Sequence, residues 1–156
     1  MDLYGRPWRV ERLLGRVGRV EVSRYETPTG VRLRLRHAEA GREAFLDPLE
    51  LEGLTRVRYK PVPVLPVATA DGAEQAAEAW KSVGEGSERL QNEFALVAVA
   101  LVGSEGLLVR DMNGGLAVVL GSQELEALLH VRHMDLAPLV DTSDMVALPE
   151  PDLDEE

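Results

Sequence analysis

The sequence predicts an α+β protein of two antiparallel β-meander-plus-helix units packed together, with an extra helix between them and a disordered acidic C-terminal tail. Three observations lead there. Val31–Arg36, VRLRLR, alternates without error, placing Val31, Leu33 and Leu35 on one face and Arg32, Arg34 and Arg36 on the other. A stretch of apolar strand, helix-start signal and E-L-E-x-L helix occurs twice, 74 positions apart, ending in Gly115–His133 and, earlier, in Glu43–Tyr59. Within it Glu50/Glu124, Leu51/Leu125, Glu52/Glu126, Leu54/Leu128, Val57/Val131 and Arg58/Arg132 are identical. Third, a strand–strand–strand–helix unit cannot bury its sheet face alone, so two of them should pack against each other.

Residues 8–14 are expected to form a first, weakly patterned strand, and Gly15–Gly18 a turn. Arg19–Tyr25 alternates, with Val20 and Val22 on one face and Arg19, Glu21, Ser23 and Tyr25 on the other. Thr27-Pro28-Thr29-Gly30 turns the chain, because proline fixes one dihedral and glycine accepts a positive one. Val31–Arg36 follows, then a polar loop and a short strand, Glu43–Leu46. Asp47 is a good helix cap, Pro48 suits the first helical position, and Glu50 completes a capping box for a short helix ending near Thr55. Residues 60–72 carry three prolines and no period, and read as an extended linker. A helical stripe through Ala73, Ala76, Ala77, Trp80 and Val83 ends at Gly84-Glu85-Gly86, with a further helical fragment expected at Ser87–Gln91.

The second meander then begins. Glu93–Val102 is apolar on both faces, so both faces should be covered. Leu107–Met112 returns, Asn113-Gly114 signals a tight hairpin, and Leu116–Leu120 leads into helix Gln123–Leu129 under a Gly121 or Ser122 cap. Beyond His133 the chain is acidic, has no basic residue and holds three prolines, so it reads as a tail. Its spaced Leu136, Leu139, Val140, Met145, Val146 and Leu148 favour docking on this chain or a partner over free solvation. The expected organisation is a first unit at 1–59, linker and helix at 60–92, a second unit at 93–133 and the tail at 134–156, with residues 1–133 forming one compact domain.

Composition narrows the function. The 156 residues carry a net charge of −10, yet residues 1–60 sum to +4 and residues 61–156 to −14. Such a split hints at nucleic-acid contact or an acidic tail. Cysteine is absent, which removes disulfides, thiolate metal sites and a cysteine nucleophile. The first residues are charged throughout and lack the apolar core of a signal peptide, and the longest apolar run, Phe94–Val102, is nine residues, too short to span a bilayer as a helix. A cytoplasmic location is expected.

The strands and helix of Val20–Leu54, VEVSRYETPTGVRLRLRHAEAGREAFLDPLELEGL, resemble the sheet-then-helix repeat of the PUR-repeat proteins, the Whirly family and related single-stranded-DNA-binding transcriptional coactivators. The likeness is one of element order and covers about a third of the chain well. The second copy departs from it, being apolar where a binding face should be basic. The resemblance implies single-stranded nucleic-acid binding and transfers no individual contact residue.

The residues themselves give a parallel reading. Arg32, Arg34 and Arg36 emerge on one face at about 6.6–7 Å intervals, near the phosphate spacing of an extended strand. Arg19 and Tyr25 are expected on the same face, where a tyrosine can stack a base while arginines neutralise phosphates. The alternative is an ordinary solvated sheet face with Glu21 and Glu43 as cross-strand partners. Trp8 and Trp80 read as core or interface anchors. His130, His133 and Asp135 cluster near a helix end, but two histidines and one carboxylate make a poor metal site. His37 reads as an additional donor. No nucleophile elbow, P-loop or dinucleotide fingerprint is present, and Ser122 is a cap before it is a nucleophile.

The leading expectation is therefore a non-catalytic binder of single-stranded DNA or RNA using Arg19, Tyr25, Arg32, Arg34 and Arg36, with no cofactor, metal or catalytic residue. The alternative is a protein-interaction or regulatory module, a dimeric scaffold or transcription-associated regulator, acting through the apolar second sheet and the acidic tail. A homo-oligomer is expected in either case.

Overall fold

The computed structural model describes residues 10–56, 72–83, 86–104 and 106–139. Trp8, the proline-rich linker and the chain beyond Leu139 lie outside the described residues. Four strands, β1 (Val10–Val17), β2 (Val20–Thr27), β3 (Gly30–His37) and β4 (Glu43–Leu46), form an antiparallel meander that ends in helix α1 (Pro48–Leu54). After α2 (Gly72–Val83), strands β5 (Glu88–Gln91), β6 (Leu96–Val102), β7 (Gly106–Asp111) and β8 (Ala117–Gly121) repeat the meander, followed by α3 (Ser122–Leu128). A short helix α4 (His133–Leu136) and a 3-10 turn (Ala137–Leu139) complete it. The expected two-unit α+β architecture is what the chain adopts.

The repeat is structural as well as sequential. Pro48 and Ser122 open the two helices and Leu54 and Leu128 close them, each pair 74 positions apart. Asp47 Oδ1 accepts the Glu50 amide at 2.7 Å while Glu50 Oε1 accepts the Asp47 amide at 3.0 Å. At the matching place Glu124 Oε1 accepts the Gly121 amide at 2.7 Å. Glycine at 121 has no side chain to return the bond, so the second copy keeps half of the capping box. The ends of β3 and β7 correspond too, where His37 Nδ1 accepts from the Glu39 and Ala40 amides and Asp111 Oδ1 from that of Asn113.

The helices exchange partners across the units. α1 lies against β6 and β7 of the second sheet, and α3 touches β2 of the first as well as its own β8. Val17, Val20, Val22, Leu33 and Leu35 thus share one core with Leu90, Val97, Val99, Leu107, Val109, Leu51, Leu54, Leu125 and Leu128. The sheets also meet at β1 and β6, where Gly15 sits inside β1 opposite Val22, and a Cβ built on it would lie 3.0 Å from Leu101 Cγ. The expected turn at Gly15–Gly18 is accordingly displaced. The strand runs on to Val17 past a bulge between Leu13 and Gly15, and the turn narrows to Gly18-Arg19.

Three further differences have physical causes. Ser87–Gln91 is not helical: Glu88–Gln91 pairs with β6 and drives Leu90 into the core. The β7–β8 connection is longer than a two-residue hairpin, and the left-handed residue is Gly115, at φ +83°. At Gly114 a Cβ would lie 2.5 Å from Asp111 Oδ2, so a larger residue there would require the Asp111 carboxylate to shift. Finally, the compact body does not stop at His133. Leu136 and Leu139 are buried in the shared core, so the start of the expected tail docks on this chain. Arg56 helps hold it, reaching Leu139 O at 3.5 Å and Glu52 Oε1 at 3.4 Å. His133 Nδ1 contacts Glu50 Oε2 in the same region.

Candidate functional site

Helix α2 decides which sheet face is left uncovered. Its Ala76, Ala79, Trp80 and Val83 pack on Leu108, Val102, Ala117 and Val119 of the second sheet, on the side away from the shared core. Ala79 takes the stripe position expected of Ala77, which is exposed. Arg110 lies 4.6 Å from the Trp80 ring centroid, a cation–π contact that holds helix to sheet. The apolar second sheet, to which the alternative reading assigned an interface, thus carries α2 on the face away from the shared core. The first sheet has its inner face in the core, while no helix covers its outer face among the described residues.

Register fixes what that outer face presents. Across the strands run three rows: Glu11–Tyr25–Arg32, then Leu13–Ser23–Arg34–Phe45, then Arg16–Glu21–Arg36–Glu43. Arg32, Arg34, Arg36 and Tyr25 do share one face. Arg19 stands apart from them in the β1–β2 turn, with its guanidinium 3.9 Å from Glu39.

The arginines are extensively paired. Arg34 donates through Nε and Nη2 to Glu43 Oε1 at 2.8 and 2.6 Å, and through Nη1 to Glu11 Oε2 at 2.5 Å. Partial burial alone would lower the Arg34 pKa, but the hydrogen bonds to Glu11 and Glu43 outweigh it and raise it. Arg36 reaches Glu21 at 3.4 Å. Arg32 donates to the Val31 carbonyl and Arg16 to that of Gly18. Glu21 and Glu43 are the cross-strand partners of the solvated-face alternative; Glu11 is a third that the sequence did not reveal. Around this charge lattice Tyr25 and Phe45 meet edge to face at 4.9 Å between centroids, Arg34 stands 5.9 Å over the Phe45 ring, and Leu13 is 61% exposed. The face is amphipathic and close to neutral: four arginines against three glutamates.

Elsewhere the candidates resolve into structural roles. Trp80 anchors α2, His37 caps a turn, and His133 contacts a carboxylate. Among the described residues no cluster of three or more histidines and carboxylates has the arrangement of a metal site, and no helix is long and apolar enough to cross a membrane. A cleft of about 400 Å³ lies between the sheets, with Leu13, Leu14, Val99, Ala100 and Leu101 among its lining residues. Its rim is closed by Arg12, which donates to both Glu88 oxygens at 2.6 and 3.1 Å.

No protein-family model, curated protein or solved structure matches this chain.

Proposed function

We propose that the protein is a non-catalytic protein-interaction module whose working surface is the outer face of the first sheet. The observation that supports this most is the pairing of Arg34 with both Glu11 and Glu43. An arginine already held by two carboxylates must give them up to bind phosphate, and the resulting lattice has too little net charge to attract a polyanion. What remains is the composition of a protein interface: Tyr25 and arginines on the two central strands, the exposed Leu13 and the half-buried Phe45 on the two flanking strands, and charges of both signs among them. Binding a partner there needs no pocket, cofactor or titrating group.

A second reading keeps a foothold. Arg32, Arg34 and Arg36 line one strand beside Tyr25, and the order of elements is that of the single-stranded-nucleic-acid binders named above. One comparison separates the two. Labelled single-stranded DNA and RNA are titrated at two salt concentrations, and partners retained by the wild-type chain are compared with those retained by a Leu13→Asp/Phe45→Asp variant. The interaction reading expects negligible nucleic-acid binding and a purified partner that binds wild type but not the variant. Salt-dependent nucleic-acid binding that Arg32→Ala weakens would replace it with the second reading.

A further inference from the structure

We propose that the outer face of the first sheet is self-complementary and pairs with the same face of a second copy of this chain. The proposal deepens the interaction reading above by naming the partner. Its basis is the charge pattern set by the strand register. Consider a two-fold axis lying between the apposed sheets, parallel to the strands and midway between β2 and β3. The rotation sets β1 opposite the other copy's β4, and β2 opposite its β3, each row facing its own equivalent.

The facing pairs within the paired register then match, with Glu11 alone set opposite the end of β4, beyond its last pair with β3. In the third row Arg16 meets Glu43 and Glu21 meets Arg36. Glu21 and Arg36 already touch within one chain, so the two copies close a ring of four charges of alternating sign. In the middle row the exposed Leu13 meets Phe45, and Ser23 meets Arg34. In the first row Arg32 meets the face of Tyr25, a cation–π geometry. Each pairing occurs twice by symmetry, as an isologous interface requires. A two-fold axis perpendicular to the strands would instead set Arg32 against Arg36, so the pattern selects one orientation.

The geometry is also that of ordinary sheet packing. Rotation about an axis parallel to the strands leaves the two sets of strands aligned, the arrangement that twisted sheets adopt at about −30° and about 10 Å apart. Four strands about 4.8 Å apart and three rows about 6.8 Å apart make a patch on the order of 20 Å by 20 Å. Two such patches bury on the order of 800 Å², below the roughly 1,200–2,000 Å² of stable interfaces, so the association is weak, reversible and concentration-dependent.

The absence of cysteine provides a direct test on the full-length chain. A Leu13→Cys/Phe45→Cys variant is oxidised and mapped by mass spectrometry. Residues 13 and 45 lie three strands apart in one chain, too far for an internal disulfide. The expected product is a covalent dimer linked 13 to 45. Sedimentation across the micromolar range is expected to show a monomer–dimer equilibrium that weakens with salt. Glu21→Arg and Arg36→Glu should each weaken self-association at least about tenfold. Mixing the two variants should restore association, because the reversed charge at position 21 of one copy then faces the reversed charge at position 36 of the other. A chain that stays monomeric at every concentration would overturn the proposal, and so would a dimer indifferent to both charge reversals with no 13-to-45 link. In either case the interaction module with a different partner would still stand or fall on its own binding comparison.

Discussion

Leu136→Ala tests whether the segment past His133 belongs to the core. Leu136 is 1% exposed and packs in the cluster shared by both units, while Met134, on the same four-residue helix, is 65% exposed. Truncation removes three carbons, about 2.5 kcal/mol of transfer free energy at about 0.8 kcal/mol each. A residual cavity adds to this, giving about 3 kcal/mol, within the range of roughly 2–5 kcal/mol for buried leucines. With a urea m-value of about 2 kcal/mol/M, the unfolding midpoint should fall by about 1.5 M. Met134→Ala should leave it within about 0.5 kcal/mol of wild type. The assay is equilibrium urea unfolding followed by far-ultraviolet circular dichroism. Equal, small shifts for both variants would mean that residues 133–139 do not close the core in solution, and the assignment of this segment to the compact body would be wrong.

Other consequences can be read with the same measurement. Gly53→Ala should lower stability although alanine is the better helix former by about 1 kcal/mol, because its Cβ would meet the Leu139 backbone at 3.1 Å; a rise in the midpoint would contradict this packing. Removing the remaining half of the second capping box by Glu124→Ala should cost about 1 kcal/mol, and Glu50→Ala more, since Glu50 also contacts His133 and sits in a complete capping box. The Arg12 hydrogen bonds lead in holding the Glu88 pKa below its ordinary value of 4.5, against the opposing effect of partial burial and with help from the Arg12 and Arg24 charges. That contribution to stability is therefore present above about pH 4.5 and disappears as pH falls through the lowered value. Glu88→Gln should be less stable than wild type near neutral pH, with the difference shrinking in acid as wild-type Glu88 protonates.

What could be read in the sequence was whatever is local. β3 announces itself because its side chains alternate without a break, and α1 because Asp47, Pro48 and Glu50 each meet a requirement of a helix start. The repeat was visible because its helices carry the same letters. β5 was not, since ERLQ has a single apolar residue and becomes a strand only when β6 lies beside it. Gly15 looked like a turn residue; its actual constraint is Leu101, 86 positions away and invisible before the sheets are assembled. The arginine face was legible as a face. The third carboxylate on it, Glu11, depended on a register passing through the β1 bulge, which alternation alone does not supply.

The two units share a backbone plan yet differ in the one place that bears on function. In the second, α2 occupies the outer face of the sheet, and that cover permits Leu108, Ala117 and Val119 where solvent would otherwise reach. In the first, the outer positions of β2 and β3 hold Glu21, Ser23, Tyr25, Arg32, Arg34 and Arg36, side chains suited to water or to a polar partner. A bare sheet face carrying only charge would be solvation and nothing more. This one sets Leu13, Tyr25 and Phe45 among arginines and glutamates of alternating sign, the pattern on which the proposed pairing of two copies rests. The asymmetry between the units is one of cover: α2 packs on the outer face of the second sheet, and among the described residues no helix packs on that of the first.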